Sequence, residues 1–139
     1  MCLIVQTFKT LIIEPNNNFR KTLRNILSSR FPFMSLEEAA SREEALAKLK
    51  EPLPDLIFME IKSPGEKKVF ELTNRIKNFY PKISIIVFTQ HDTPEYRKAA
   101  LEKGSDYFLS KDSSSIPEVL SLVESLVSSV DSRRTDEGV

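Results

Sequence analysis

The sequence predicts a doubly wound α/β fold, a parallel sheet covered by helices on both faces. Three observations carry the prediction: short uninterrupted apolar runs, a helical pattern in each interval between strands, and capping or breaking residues at the boundaries. The runs are "TLII" at 10–13, "LIFM" at 56–59, "ISIIVF" at 83–88 and "YFL" at 107–109. A run with no polar alternation marks a strand buried on both faces, the signature of a parallel sheet. A weaker run, "MSLEEAA" at 34–40, mixes in polar residues and reads as an edge strand. Strand and helix alternate five times. Right-handed crossovers turn such a chain into a three-layer sandwich.

The helices are justified in order. "NNN" at 16–18 opens the first, with Phe19, Leu23, Ile26 and Leu27 recurring at helical spacing. Ser41 followed by Glu44 is a capping box for the second, which presents Ala45, Leu46 and Leu49 before Pro52 and Pro54 close it. The third carries Val69, Leu72, Ile76 and Phe79 and stops at Pro81. Thr93, Pro94 and Glu95 open the fourth, and Gly104 supplies the left-handed residue that ends it. The fifth starts near Ser115, with Glu118 three residues on, and shows a wide stripe of Ile116, Val119, Leu120, Val123, Leu126, Val127 and Val130. The polar "DSRRTDEGV" at 131–139 reads as a flexible C-terminal tail or linker stub, leaving 8–130 as one domain.

Composition excludes several classes. The chain has 139 residues, enough for one core without a metal or disulfide staple. Lys+Arg and Asp+Glu are both 20, so no net charge draws the domain to nucleic acid. Cys2 is the only cysteine, which precludes an intrachain disulfide and suits the reducing cytoplasm; near a terminus it reads as inert. "MCLIV" is too short for a signal-peptide core, and no other stretch approaches a membrane span.

In an open α/β sheet the site lies outside the carboxyl ends of the strands. Those ends are Glu14, Glu60 and Thr89, with Lys111 just past "YFL". Two carboxylates, a hydroxyl and an ammonium therefore converge on one edge, and a Glu60–Lys111 salt bridge is expected. His91, the only histidine, has no nucleophile partner and reads as an exposed loop residue.

The stretches "LIIEPNNNFRKTL", "LPDLIFMEIKSPG" and "IIVFTQHDTPEYRKAALEKGSDYFLSKD" resemble a response-regulator receiver domain of two-component signalling, of the kind preceding helix-turn-helix outputs. The resemblance implies a flavodoxin-like five-stranded sheet in the order 2-1-3-4-5. It also implies phosphoryl transfer from a histidine kinase to an aspartate ending the third strand. Mg²⁺, an acidic pair after the first strand, a Thr or Ser ending the fourth and a Lys after the fifth assist in that family. Thr89 and Lys111 match these positions, with Thr89 and Phe108 as the implied switch pair.

Departures fall in the reaction centre. Glu60 stands at the phosphoacceptor position, and Glu14 is followed by Pro15 where a second acid is implied. Pro15 cannot ligate a cation, so Mg²⁺ is held weakly or lost by Glu14 and Glu60. Glu60 displaces its carboxylate by one methylene, and a misplacement of about 1 Å can cost roughly a hundredfold. Lys68 and Gln90 replace the small residues implied beside the pocket. The expectation is a degenerate receiver: not an enzyme, without a cofactor, working by contact with a signalling protein, an output domain or a kinase. A homodimer is one arrangement the resemblance offers, through the fourth helix, fifth strand and fifth helix or through the first and fifth helices. The alternative is a receiver still taking phosphate at low efficiency with Mg²⁺. A flavin or nucleotide binder is disfavoured, because "EPNNN" has no glycine or hydroxyl to cradle phosphate.

Overall fold

In a computed structural model of the chain, residues 7–60 and 70–137 are described. Residues 61–69 include Ser63, Pro64, Lys68 and Val69, and residues 1–6 include Cys2, so the readings made on them lie outside the described residues. The described strands are β1 (Phe8–Ile13), β2 (Met34–Ala39), β3 (Leu56–Met59), β4 (Ser84–Thr89) and β5 (Tyr107–Ser110). The helices are α1 (Asn17–Arg30), α2 (Arg42–Lys48), α3 (Glu71–Phe79), α4 (Pro94–Glu102) and α5 (Ile116–Glu137). All strand pairs are parallel, and the sheet order is β2-β1-β3-β4-β5. This is the order and the flavodoxin-like architecture that the resemblance implies.

Strand alternation explains why the apolar runs are unbroken. Phe8, Ile12, Leu56, Phe58, Ile86 and Phe88 point to one face and meet Leu23 and Leu27 of α1 and Val119, Val123 and Val127 of α5. Their neighbours Leu11, Ile13, Ile57, Met59 and Ile85 point the other way, onto Ala45 of α2 and Leu72 and Ile76 of α3. Val87 and Phe108 continue that second face beneath Ala100 of α4. Each central strand thus buries both sets of side chains. At the edges the pattern weakens: Tyr107 is half-exposed, and Ser35 of β2 is exposed.

The caps read from the sequence are present. Asn16 Oδ1 accepts from the Phe19 amide (3.0 Å), Ser41 Oγ from Glu44 (3.2 Å), Thr93 Oγ1 from Tyr96 (3.2 Å) and Ser115 Oγ from Glu118 (3.2 Å). Gly104 has φ 114°, and an added Cβ would sit 2.9 Å from Lys77 Cγ. Gly104→Ala is therefore expected to cost about 1–2 kcal/mol, since the left-handed backbone penalises a Cβ and the contact adds to it. Urea unfolding measures this, and a loss indistinguishable from zero would refute it.

Several readings are corrected. Residues 131–137 continue α5 instead of forming a tail, because no glycine or proline interrupts them before Gly138. Phe79 shares the stripe of Leu72 and Ile76 yet is 71% exposed, because it is the last helical residue, past the sheet's amino edge. Leu46 and Ile116 are likewise exposed. Among the described residues no helix is long and apolar enough to cross a membrane.

Candidate functional site

Parallel pairing continues one residue past three strands and so aligns the site. The Glu14 amide donates to Ala39 O (2.9 Å), the Glu60 amide to Ile13 O (3.0 Å) and the Lys111 amide to Thr89 O (2.9 Å). Each side chain is thereby launched from the same carboxyl edge. Arg20 Nη1 ties down the Glu14 carbonyl (2.8 Å), and the Asn16 amide donates to Glu14 Oε2 (3.0 Å).

At the centre, Lys111 Nζ lies 2.5 Å from Glu14 Oε1 and 2.5 Å from Glu60 Oε2. The side chains are only 14%, 5% and 9% exposed respectively, so this is a buried triad and not a surface ion pair. The third side of the ammonium rests 4.0 Å above the centroid of the Phe19 ring. Burial pulls the Lys111 pKa down, but the hydrogen bonds and charges of Glu14 and Glu60 outweigh it, and the net displacement is upward. Lys111 is therefore charged at neutral pH. Glu60 Oε1 is buried with no hydrogen-bond partner among the described residues.

The sequence pairs Lys111 with Glu60; the structure adds Glu14 as a second, equally close partner. Thr89 ends β4 fully buried, its Oγ1 accepting from the His91 amide (3.0 Å), and no bond from its hydroxyl to either carboxylate is present among the described residues. Phe108 is buried in β5, with the Arg97 guanidinium 5.1 Å from its ring centroid. His91 is corrected from exposed to half-buried, because its ring lies beside Tyr96 at 6.4 Å. Gln90 is exposed. Among the described residues, no group of three or more His, Cys, Asp or Glu could hold a metal ion.

Phe19, Arg20 and Arg97 were not legible as site residues. Phe19 reads as helix stripe, and only its place one turn after Glu14 hints at a role at the strand end.

A doubly wound sheet that gathers an ammonium, two carboxylates and a threonine at its carboxyl edge defines a flavodoxin-like α/β protein. The chain belongs to the response regulator receiver domain family, whose model matches residues 10–124, and so is a receiver of two-component signalling. The response regulator protein VraR of Staphylococcus aureus is 33% identical over 110 residues, 78% of this chain and 51% of that protein. The transcriptional activator protein ExaE of Pseudomonas putida is 31% identical over 101 residues, 73% and 47% respectively. The chain thus spans about half the length of these relatives. A CheY-like receiver domain from Methanospirillum hungatei has the same fold, with a TM-score of 0.77 at 22% identity, covering 91% of this chain and 99% of that one. A two-component response regulator from Clostridium difficile superposes with a TM-score of 0.75 at 26% identity, covering 86% and 95%.

Proposed function

We propose that this chain is an atypical receiver domain that signals by protein–protein contact, its conformation held by the Lys111 triad and not set by phosphoryl transfer. One observation carries the reading: the ammonium is held at 2.5 Å by Glu14 and by Glu60, the residue at the phosphoacceptor position. Glu60 is one methylene longer than an aspartate and reaches the lysine directly, occupying space a phosphoryl oxygen would need. The mimicry is partial, since a carboxylate brings about one charge and two oxygens against nearly two charges and three oxygens for a phosphoryl group. Phe108, buried on Val87 and Ala100, and Thr89 are the switch residues in this reading.

The donor set is a poor one for Mg²⁺. Pro15 brings no carboxylate, and both remaining carboxylates already turn an oxygen onto Lys111. The domain in this reading has no cofactor and no substrate of its own. Its contacts are with a signalling protein or output domain, a histidine kinase included, or with a second copy, and zero net charge argues against nucleic acid. A second reading, a receiver phosphorylated at low efficiency with Mg²⁺, draws on Glu60 Oε1, the buried oxygen without a partner.

Acetyl phosphate with Mg²⁺ separates the two. Intact mass is expected to stay unchanged, because the nucleophile is displaced by one methylene and Pro15 supplies no carboxylate for a metal. A stable gain of one phosphoryl group, abolished in Glu60→Ala, would overturn the proposal.

A further inference from the structure

Beside the triad, between α1 and the start of α5, lies a cavity of about 160 Å³ with walls of Phe19, Leu23, Ile26, Phe88 and Val119. That volume is close to that of an apolar cavity of about 150 Å³ that takes up benzene, and here the mouth opens to solvent past Thr22 and Ile116. Its polar boundary consists of the Lys111 side chain, Thr22 and Ser114. Lys111 has no donor left for a ligand, since its ammonium is engaged by two carboxylates and the Phe19 ring face. Ser114 is different. Its Oγ accepts from the Ser110 amide (3.1 Å), and its own O–H meets no acceptor among the described residues.

We propose that this cavity is a binding site for a small, uncharged, ring-sized apolar molecule bearing one hydrogen-bond acceptor, which Ser114 would meet. Apolar walls with one convergent donor are the usual make-up of a small-molecule site. An anion would be desolvated among apolar walls and would find no free donor on Lys111, which selects against it. Phe19 is a wall of the cavity, packs edge-on against Phe88 at 5.3 Å and also roofs the Lys111 ammonium. A ligand that shifts this ring alters the triad, so occupancy and lock are coupled. That regulatory consequence rests on the phosphorylation-independent reading; the binding itself does not.

The test titrates methyl benzoate into the full chain and follows backbone amide resonances. Saturable shifts are expected in residues 19–26, 88 and 111–119. Thr22→Phe, which fills the cavity from the exposed side of α1, is expected to weaken binding about tenfold or more with its unfolding transition unchanged. Ser114→Ala, which removes the donor without adding bulk, should also weaken it. Benzoate, the same ring carrying a charge, should give no saturable shift. Glu60→Gln lies outside the cavity wall and should change the affinity for methyl benzoate about fivefold or more through the shared ring. Binding of benzoate as tight as that of the ester, or shifts indifferent to both Thr22→Phe and Ser114→Ala, would overturn the site. Unchanged affinity in Glu60→Gln would overturn the coupling. A dimer by sedimentation that Thr22→Phe dissociates would assign the face to a second copy instead. Phosphorylation in the mass assay with these shifts intact would refute the function proposed above and leave the cavity as a ligand site.

Discussion

Lys111→Met is expected to lower the unfolding free energy by about 3–5 kcal/mol at neutral pH, the range for removing one partner of a buried ion pair. Methionine keeps most of the stem's packing, so the loss reports the charge. Without the ammonium, Glu14 and Glu60 face one another at 5% and 9% exposure, with only the Asn16 amide on Glu14 left to compensate them. The Phe19 ring also loses its cation, worth up to about 2 kcal/mol when desolvated. Denaturant unfolding at neutral pH measures the loss, and a value under 1 kcal/mol would show the triad to be solvated.

The wild type has a matching alkaline signature. The folded Lys111 pKa is raised above its ordinary value of 10.5. The folded state therefore holds this proton more tightly than the unfolded state does. The stabilisation it confers is complete below pH 10.5 and is lost as pH rises through the higher folded value. Thermal unfolding should show a steeper alkaline decline in wild type than in Lys111→Met, and parallel declines would contradict the assignment.

How much of this was legible in the sequence follows from burial. β3, "LIFM", is paired on both sides and covered on both faces, so its hydrophobic run and its limits coincide with residues 56–59. β5 lies at the edge, and there the run misleads, since Tyr107 is half-exposed. Caps were readable because they depend on residues three apart in the chain, as with Ser41 and Glu44. The triad was only half readable. Strand ends could be placed on one edge, but the pairing of Lys111 with Glu14, ninety-seven residues away, depends on where β1 and β5 flank the β3–β4 pair. Phe19 was opaque for a related reason: its helical spacing marks it as core, and nothing local reports that an ammonium from the far end of the sheet comes to rest on its ring. The polar residues past Val130 read as a tail, yet α5 runs on through them to Glu137, since polarity alone does not end a helix and no glycine or proline stands among residues 131–137.

Glu14→Gln and Glu60→Gln remove the same charge from the same lysine, yet they are expected to differ in stability and in consequence. Glu14 uses both oxygens, Oε1 toward Lys111 and Oε2 toward the Asn16 amide. A glutamine there must turn its NH₂ toward one of two donors, leaving a buried clash of like groups worth about 1.5–3 kcal/mol. Glu60 uses only Oε2, and its Oε1 has no partner among the described residues. A glutamine can keep its carbonyl on Lys111 and place the NH₂ where no described group opposes it, so the loss should be about 1 kcal/mol or less. Function should rank the other way. Glu60 is the carboxylate at the phosphoacceptor position, and weakening its hold on Lys111 frees the end of β5, where Phe108 packs on Val87 and Ala100. Amide exchange in residues 89–111 should accelerate more in Glu60→Gln than in Glu14→Gln, despite the smaller loss of global stability. Exchange that merely tracks global stability in both variants would mean that the triad holds the fold together without setting a switch.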